Sequence, residues 1–182
     1  MREIEIKLRV RDMKTLEQAL AERGCTLSAP IHQHDVIYQR ADDTFFWEGT
    51  KEGDNVLRIR RDDKGASFTL KQQCTHELDN IECETRVENA EEMHRALLLL
   101  GFTPEVEVKK IRRKGMLGKD EICLDEVEEL GSFVELERLT DDDADPKEVA
   151  EELYRKLESL GLSRKDEEKR GYDTQMYQLR KK

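Results

Sequence analysis

The stretch Arg2-Glu3-Ile4-Glu5-Ile6-Lys7-Leu8-Arg9-Val10 decides how the rest of the chain is read. Successive side chains of a strand alternate faces, so Ile4, Ile6, Leu8 and Val10 share one side. Glu3, Glu5, Lys7 and Arg9 share the other. Two arrangements satisfy this pattern: a half-exposed strand with its charges in water, or a strand whose charged face lines an internal cavity. The choice turns on whether other strands repeat the alternation with matching charges.

The chain has 182 residues, enough for a single domain, 1–182, with a real core. Charged residues make up 41% and hydrophobic ones 36%, but the apolar positions are periodic, which argues against disorder. A net charge of -10 argues against broad nucleic-acid binding and against an anionic membrane surface. No apolar run reaches the length of a membrane span, and the charged start is no signal peptide, so a cytoplasmic location is expected. Cys25, Cys74, Cys83 and Cys123 form no C-x-x-C pair, and reduced thiols are expected. His32 and His34 form an H-x-H pair with no third ligand nearby, so no metal site is assigned to them.

Beyond the first strand, Asp12 reads as an N-cap, Met13, Leu16, Ala19 and Leu20 recur at helical spacing, and Gly24 is a stop. Residues 33–40 alternate as a strand, and 41–55, with Phe45, Phe46 and Trp47, reads as a long connection or flap. Val56 to Arg61 and Ser67 to Gln73 form a hairpin about Asp63-Lys64-Gly65, and Ile81 to Val87 another strand. A second helix starts at Asn89, with Glu92 completing a capping box, Met93, Ala96, Leu97 and Leu100 as its stripe, and Gly101 as its end. Strands at 105–114 and 120–126, joined near Gly115 to Gly118, precede another from Val134 to Leu139. Asp145 caps a third helix with Pro146 at its first position and Val149, Leu153, Leu157 and Leu160 inward. Ser163 to Arg170 reads as a solvated charge run, and Tyr172, Met176 and Tyr177 as a short helix laid over the body.

An offset of 77 residues superimposes Ile4, Glu5, Arg9 and Val10 on Ile81, Glu82, Arg86 and Val87, and Asp12 on Asn89. It also carries Arg58 and Arg60 onto Glu135 and Glu137. Two related halves are therefore expected, about 1–77 and 78–140, followed by a C-terminal helical segment, 145–182.

Strand positions flanked by apolar neighbours give two charged sets. The acids are Glu3, Glu5, Glu82, Glu84, Asp125, Glu135 and Glu137; the bases are Lys7, Arg58, Arg60, Lys71, Arg86, Lys110 and Arg112. Strand 105–114 changes parity between Val108 and Ile111, so a bulge is assumed there to turn Lys110 and Arg112 inward. So many charges cannot be buried dry, because each unpaired one would cost several kcal/mol. A water-filled barrel interior, with apolar faces turned outward under helices, resolves the conflict. Such a cavity suits a polyphosphate, with Arg and Lys on successive phosphates. Grouped carboxylates suit Mg²⁺ or Mn²⁺. Charged faces in plain water, salt-bridged across strands, remain the alternative.

These residues resemble the CYTH superfamily of triphosphate tunnel enzymes. The similarity runs from residue 3 to about 139, through Glu3-Ile4-Glu5-Ile6-Lys7, Asp35-Val36-Ile37-Tyr38, Leu57-Arg58-Ile59-Arg60, Leu70-Lys71, Glu82-Cys83-Glu84 and Lys110-Ile111-Arg112. It continues through Leu124-Asp125-Glu126-Val127 to Leu130-Gly131-Ser132-Phe133-Val134-Glu135-Leu136-Glu137. The resemblance implies an α+β fold, an eight-stranded antiparallel closed barrel with a charged interior and helices outside. It implies Glu3, Glu5, Glu135 and Glu137 as metal ligands, supported by Asp125. Lys7, Arg58, Arg60, Lys71, Lys110 and Arg112 would hold the triphosphate, with Arg86 also counted among the bases. Lys7, Glu135 and Glu137 would stand nearest the chemistry, and Glu82, Glu84 and Tyr38 would support it. Two positions depart from the family pattern: Gly115, where relatives often have an aromatic residue, and Gly171-Tyr172, where a Ser-Tyr pair is common near the C-terminus. The resemblance is nearest to class IV adenylyl cyclases, which turn ATP into cyclic AMP and pyrophosphate. A triphosphatase, with water as nucleophile, and a non-catalytic polyphosphate-binding module are the alternatives. A homodimer is a family-based expectation.

Overall fold

The structure is a computed structural model that describes residues 2–40, 51–141 and 144–181. The flap expected over 41–55 falls mostly outside the described residues. Eight strands form one closed antiparallel barrel: β1 (Arg2–Arg9), β2 (Ile31–Arg40), β3 (Asn55–Asp62), β4 (Gly65–Gln73), β5 (Asp79–Val87), β6 (Phe102–Leu117), β7 (Asp120–Val127) and β8 (Gly131–Thr140). Around the barrel the order is β1-β5-β4-β3-β2-β6-β7-β8, closing through β8 back onto β1. Full closure leaves no sheet edge to be protected. Among the described residues four α-helices accompany it: α1 (Met13–Glu22), α2 (Ala90–Leu99), α3 (Pro146–Ser159) and α4 (Tyr172–Arg180).

The apolar side of β1 faces outward. Ile4, Ile6 and Leu8 join Ile122, Leu124, Val134 and Leu136 beneath Leu16 and Leu20 of α1 and Leu153 and Leu157 of α3. Each such aliphatic side chain contributes about 1.5–3 kcal/mol when fully buried. Asp12 caps α1 by accepting from the Thr15 amide, and Asp145 caps α3 by accepting from Lys147. Helix α2 covers Val36, Tyr38, Leu57 and Ile59 with Leu97. Its expected stripe is narrower than the sequence suggested: Leu100 is 66% exposed. Asn89 caps α2, but Glu92 pairs with Arg95 at 2.8 Å instead of closing a capping box.

Four expectations need correction. First, β6 carries no bulge between Val108 and Ile111. Val106, Val108, Lys110 and Arg112 are all buried on one face, Ile111 lies outside, and the register shift falls opposite Ile37 and Tyr38. Apolar residues do not all point outward: Val106 and Val108 share the inner face with the charges, so the strand needs no change of parity. Second, Gly115 lies within β6, not in a turn; a Cβ there would sit 2.8 Å from the Cys25 Sγ and 3.0 Å from the Thr26 carbonyl oxygen. Third, the 77-residue offset sets α1 on α2 but fails for the arginine and glutamate pairs. In the ring β3 adjoins β2, while β8 is separated from β6 by β7, so Arg58 and Arg60 do not occupy the place of Glu135 and Glu137.

The fourth correction concerns the C-terminal segment. Glu167 bridges to Leu8, the Glu168 amide donates to the Lys7 carbonyl, and the Glu168 side chain is buried against Arg9 and Arg170. The charge run is thus fastened to β1. Tyr172, Met176 and Tyr177 pack with Ile37, Val106, Val108, Val127 and Phe133, residues on the inward faces of their strands. Helix α4 therefore closes one apolar end of the barrel interior, and the rest of the interior is charged.

Candidate active site

The charged interior has two walls. On the first, β1 and β8 pair along their length, which sets Glu5 opposite Glu137 and Lys7 opposite Glu135. Directly opposed like charges repel, so Glu5 and Glu137 are held together by the barrel and not by each other. Glu3, Glu5 and Glu137 bring carboxylate oxygens within 4.8 Å of one another. Burial, then the nearby Glu135, pushes the Glu5 carboxyl up to about 8 despite Lys7 at 3.3 Å. Burial and Glu3 push Glu137 up to about 7. Burial likewise raises Glu3. Lys71, Lys7 and Arg112 lie 3.7, 3.3 and 3.7 Å from Glu3, Glu5 and Glu137, but burial and the neighbouring acids outweigh them.

The second wall is already neutralised. Burial works against the Asp35 carboxylate, but Arg60 outweighs it with two hydrogen bonds of 2.7 Å and holds the carboxyl far below its usual range. Asp125, fully buried, accepts from Lys110 at 3.0 Å and from Arg112 at 2.7 Å. Arg112 reaches on to Glu135 and lies 3.7 Å from Glu137. Lys71 pairs with Glu82 at 2.8 Å, and Arg58 with Thr69 at 3.1 Å. Burial would raise Glu135, yet Arg112, Lys7 and Lys110 keep it well below the usual carboxylate range. Burial and the neighbouring Arg112 lower the Lys110 ammonium.

A cavity of about 420 Å³ lies between the walls, lined by Glu3, Glu5, Lys7, Arg58, Arg60, Lys71, Glu82, Glu84, Lys110, Arg112, Glu135 and Glu137. Three residues from the sequence-derived set are placed elsewhere. Asp125 is sealed behind Lys110 and Arg112, outside the lining. Arg86, its side chain 53% exposed, binds the Lys64 carbonyl and Asp62 at the β3–β4 turn, because β5 has left the cavity by that residue. Tyr38 faces outward, its hydroxyl on His94 Nδ1 at 2.8 Å. Its parity is opposite to that of Asp35, which made this outcome readable from the alternation.

Sequence reasoning missed Asp35, Lys114, Glu121 and Tyr172, all of which line the cavity. The first three carried a signal. Asp35 shares a face with Ile37 and Gln39 against Val36 and Tyr38, Lys114 shares parity with Lys110 and Arg112, and Glu121 shares parity with Asp125. Tyr172 carried no signal in its own alternation, only its place in the family pattern, because it reaches the site from a distant helix.

The donor set on the first wall fits a hard divalent cation. Three carboxylates supply oxygen alone, and Glu5 Oε1 is buried without a hydrogen bond of good geometry. A second trio, Glu121, Cys123 and Glu137, fits less well: Lys114 pairs with Glu121 at 2.6 Å, and burial raises the Cys123 thiol.

A closed antiparallel barrel with acids gathered on one wall of its interior and bases on the other defines the triphosphate-tunnel class of proteins. The chain belongs to the CYTH domain family, whose model matches residues 1–172. It is 30% identical over 166 residues to a Methanocaldococcus jannaschii protein named "Putative adenylate cyclase", covering 90% of this chain and 92% of that one. A structure of a Pyrococcus horikoshii protein matches with a TM-score of 0.80 at 27% identity, over 99% of each chain. A Hippeastrum protein described as having a dominant triphosphatase activity shares the fold, with a TM-score of 0.61 at 18% identity over 98% of this chain and 96% of that one. No helix among the described residues is long and apolar enough to cross a membrane.

Proposed function

We propose that this chain is a metal-dependent enzyme that cleaves a phosphoanhydride bond of a triphosphate held in the barrel. The observation that carries the proposal is the facing of two unlike walls across one cavity, carboxyls short of positive charge opposite an array of Arg and Lys. Glu3, Glu5 and Glu137 would hold Mg²⁺ or Mn²⁺. When bound, the ion would offset charge on the phosphate oxygens. Arg58, Arg60, Lys71, Lys110 and Arg112 would engage those oxygens, the arginines in bidentate fashion. Lys7, between Glu5 and Glu135 at 3.3 and 3.2 Å, stands where both walls meet and would contact the reacting phosphate. Glu135 would keep Lys7 and Arg112 aimed at it. Asp35 and Asp125 would orient the cations from behind, which restrains them before substrate arrives.

Water is favoured as the nucleophile. Among the described residues Tyr172 is the only aromatic side chain lining the cavity, and the Lys7 and Lys110 ammoniums already occupy its ring. Among the described residues, a nucleobase would have to compete with those two ammoniums for the ring. Adenylyl cyclase activity, with a ribose 3′-hydroxyl as nucleophile, is the second reading, favoured by the name of the Methanocaldococcus relative. The deciding assay incubates the protein with inorganic triphosphate, thiamine triphosphate and ATP, each with Mg²⁺ or Mn²⁺, and separates the products. Orthophosphate is expected; cyclic AMP with pyrophosphate would establish the cyclase. Tight binding without turnover of any of the three would leave a polyphosphate-binding module and overturn the enzyme. Glu135→Gln should abolish turnover while the protein stays folded.

A further inference from the structure

Two ammonium groups share one aromatic ring at the floor of the cavity. Lys7 Nζ lies 4.2 Å and Lys110 Nζ 4.8 Å from the ring centroid of Tyr172. The lysines come from β1 and β6, and the ring from the first position of α4, so three distant segments meet there. The ring is itself fixed, packed edge-on against Phe133 at 5.1 Å and 65°. Its helix is fastened through the Gly171 amide, which donates to Glu77 at 2.7 Å. Tyr172 is 8% exposed, and its hydroxyl lies near Glu135 without a hydrogen bond of good geometry.

Both lysines have a competing carboxylate. Lys110 lies 3.0 Å from Asp125, and Lys7 lies 3.2 Å from Glu135, 3.3 Å from Glu5 and 3.4 Å from the Arg170 carbonyl oxygen. An ammonium captured wholly by its carboxylate would turn away from the cavity. An aromatic face attracts an ammonium without neutralising it and without hydrogen-bonding its protons, so the donors stay available to an incoming anion. We infer that Tyr172 is a positioning residue: its ring seats Lys7 and Lys110 side by side so that both ammoniums present their protons to one phosphate group. The C-terminal helix thereby belongs to the phosphate site, to which it brings an aromatic ring and no cation, its one charged lining residue being Asp173. This inference rests on the proposed triphosphate site, but the seating can be observed without any ligand.

The test has a ligand-free arm and a binding arm. In the protein labelled at lysine side chains, the ring should shift the Hε resonances of two lysines upfield. Lys7→Arg and Lys110→Arg each remove one of the two signals. Tyr172→Leu should abolish both shifts, and Tyr172→Phe should keep them. In calorimetry with inorganic triphosphate and Mg²⁺, Tyr172→Leu should weaken binding about tenfold and Tyr172→Phe should restore it. Thermal unfolding reports whether Tyr172→Leu is folded, and the ligand-free spectra of Tyr172→Phe stand if it is not. Absence of shifted lysines in the unmodified protein overturns the seating. Shifted lysines with Tyr172→Leu binding as tightly as the parent overturn its role in the phosphate site. Shifted lysines in a parent protein that does not bind triphosphate leave the seating intact and refute the proposed function instead.

Discussion

The two walls of the barrel interior hold similar residues in opposite electrostatic states. On the β2, β3, β6 and β7 side, Asp35 and Asp125 are carboxylates clasped by Arg60, Lys110 and Arg112 and held low in pKa. On the β1 and β8 side, Glu3, Glu5 and Glu137 lie close together with raised pKa values, Glu5 at about 8 and Glu137 at about 7. Burial is the largest influence on each of these carboxyls, so burial does not distinguish the walls. What distinguishes them is the number of cations within reach. An acid clasped by arginine is compensated from within; an acid crowded by other acids keeps a raised pKa.

The strongest way to break this contrast is to remove a ligand from the uncompensated wall. Glu137→Gln should lower metal-dependent turnover more than about 100-fold, and calorimetry should show weaker Mn²⁺ binding. Normal turnover would mean the acidic trio is not the cation site. On the clasped wall, Arg60→Ala should cost about 100-fold in kcat/KM for the triphosphate. The same variant should lose thermal stability, because Asp35 is left buried without its partner.

A smaller effect separates the walls by pH. Groups with raised folded pKa values, Glu5 and Glu137, contribute stability that is full below the unfolded carboxyl value near 4.5 and is lost as pH rises through 7 to 8. Asp35 and Asp125, held low, contribute stability above the unfolded value that is lost only as pH falls through their folded values. In chelator, the protein should therefore lose on the order of 2 kcal/mol between pH 5 and pH 8.5. Divalent cation should restore the loss at the higher pH, and Glu5→Gln should reduce it. A melting temperature that rises over this range in chelator would contradict the contrast. The smallest effect belongs to Arg86, whose side chain lies at the β3–β4 turn. Arg86→Ala should leave kcat/KM within about twofold and stability within about 0.5 kcal/mol.

Much of the site was legible because a strand repeats every two residues. The alternation of Glu3, Glu5 and Lys7 with isoleucine, and of Arg58 and Arg60 with Leu57 and Ile59, already told which side chains share a face. The failures came where a face is shared but its surroundings change along the strand. Val106 and Val108 have the parity of Lys110 and Arg112, yet they lie at the apolar end that α4 covers. Arg86 has the parity of Glu82 and Glu84 but lies beyond the cavity. Alternation gives a direction, not a depth.

Tyr172 marks the sharper limit. Nothing local to Gly171-Tyr172 announces that its ring will meet Lys7 and Lys110, because that contact depends on where a helix docks after the barrel has closed. The amino-acid sequence by itself determined the strands, the helix caps, the charged face and the two chemical sets, since these follow from residue type and spacing within a few positions. Tertiary structure alone decided which acids are clasped by cations and which are crowded by other acids. Glu5 faces Glu137 and Asp35 faces Arg60 through strand register, and register is set by the closing of the whole ring.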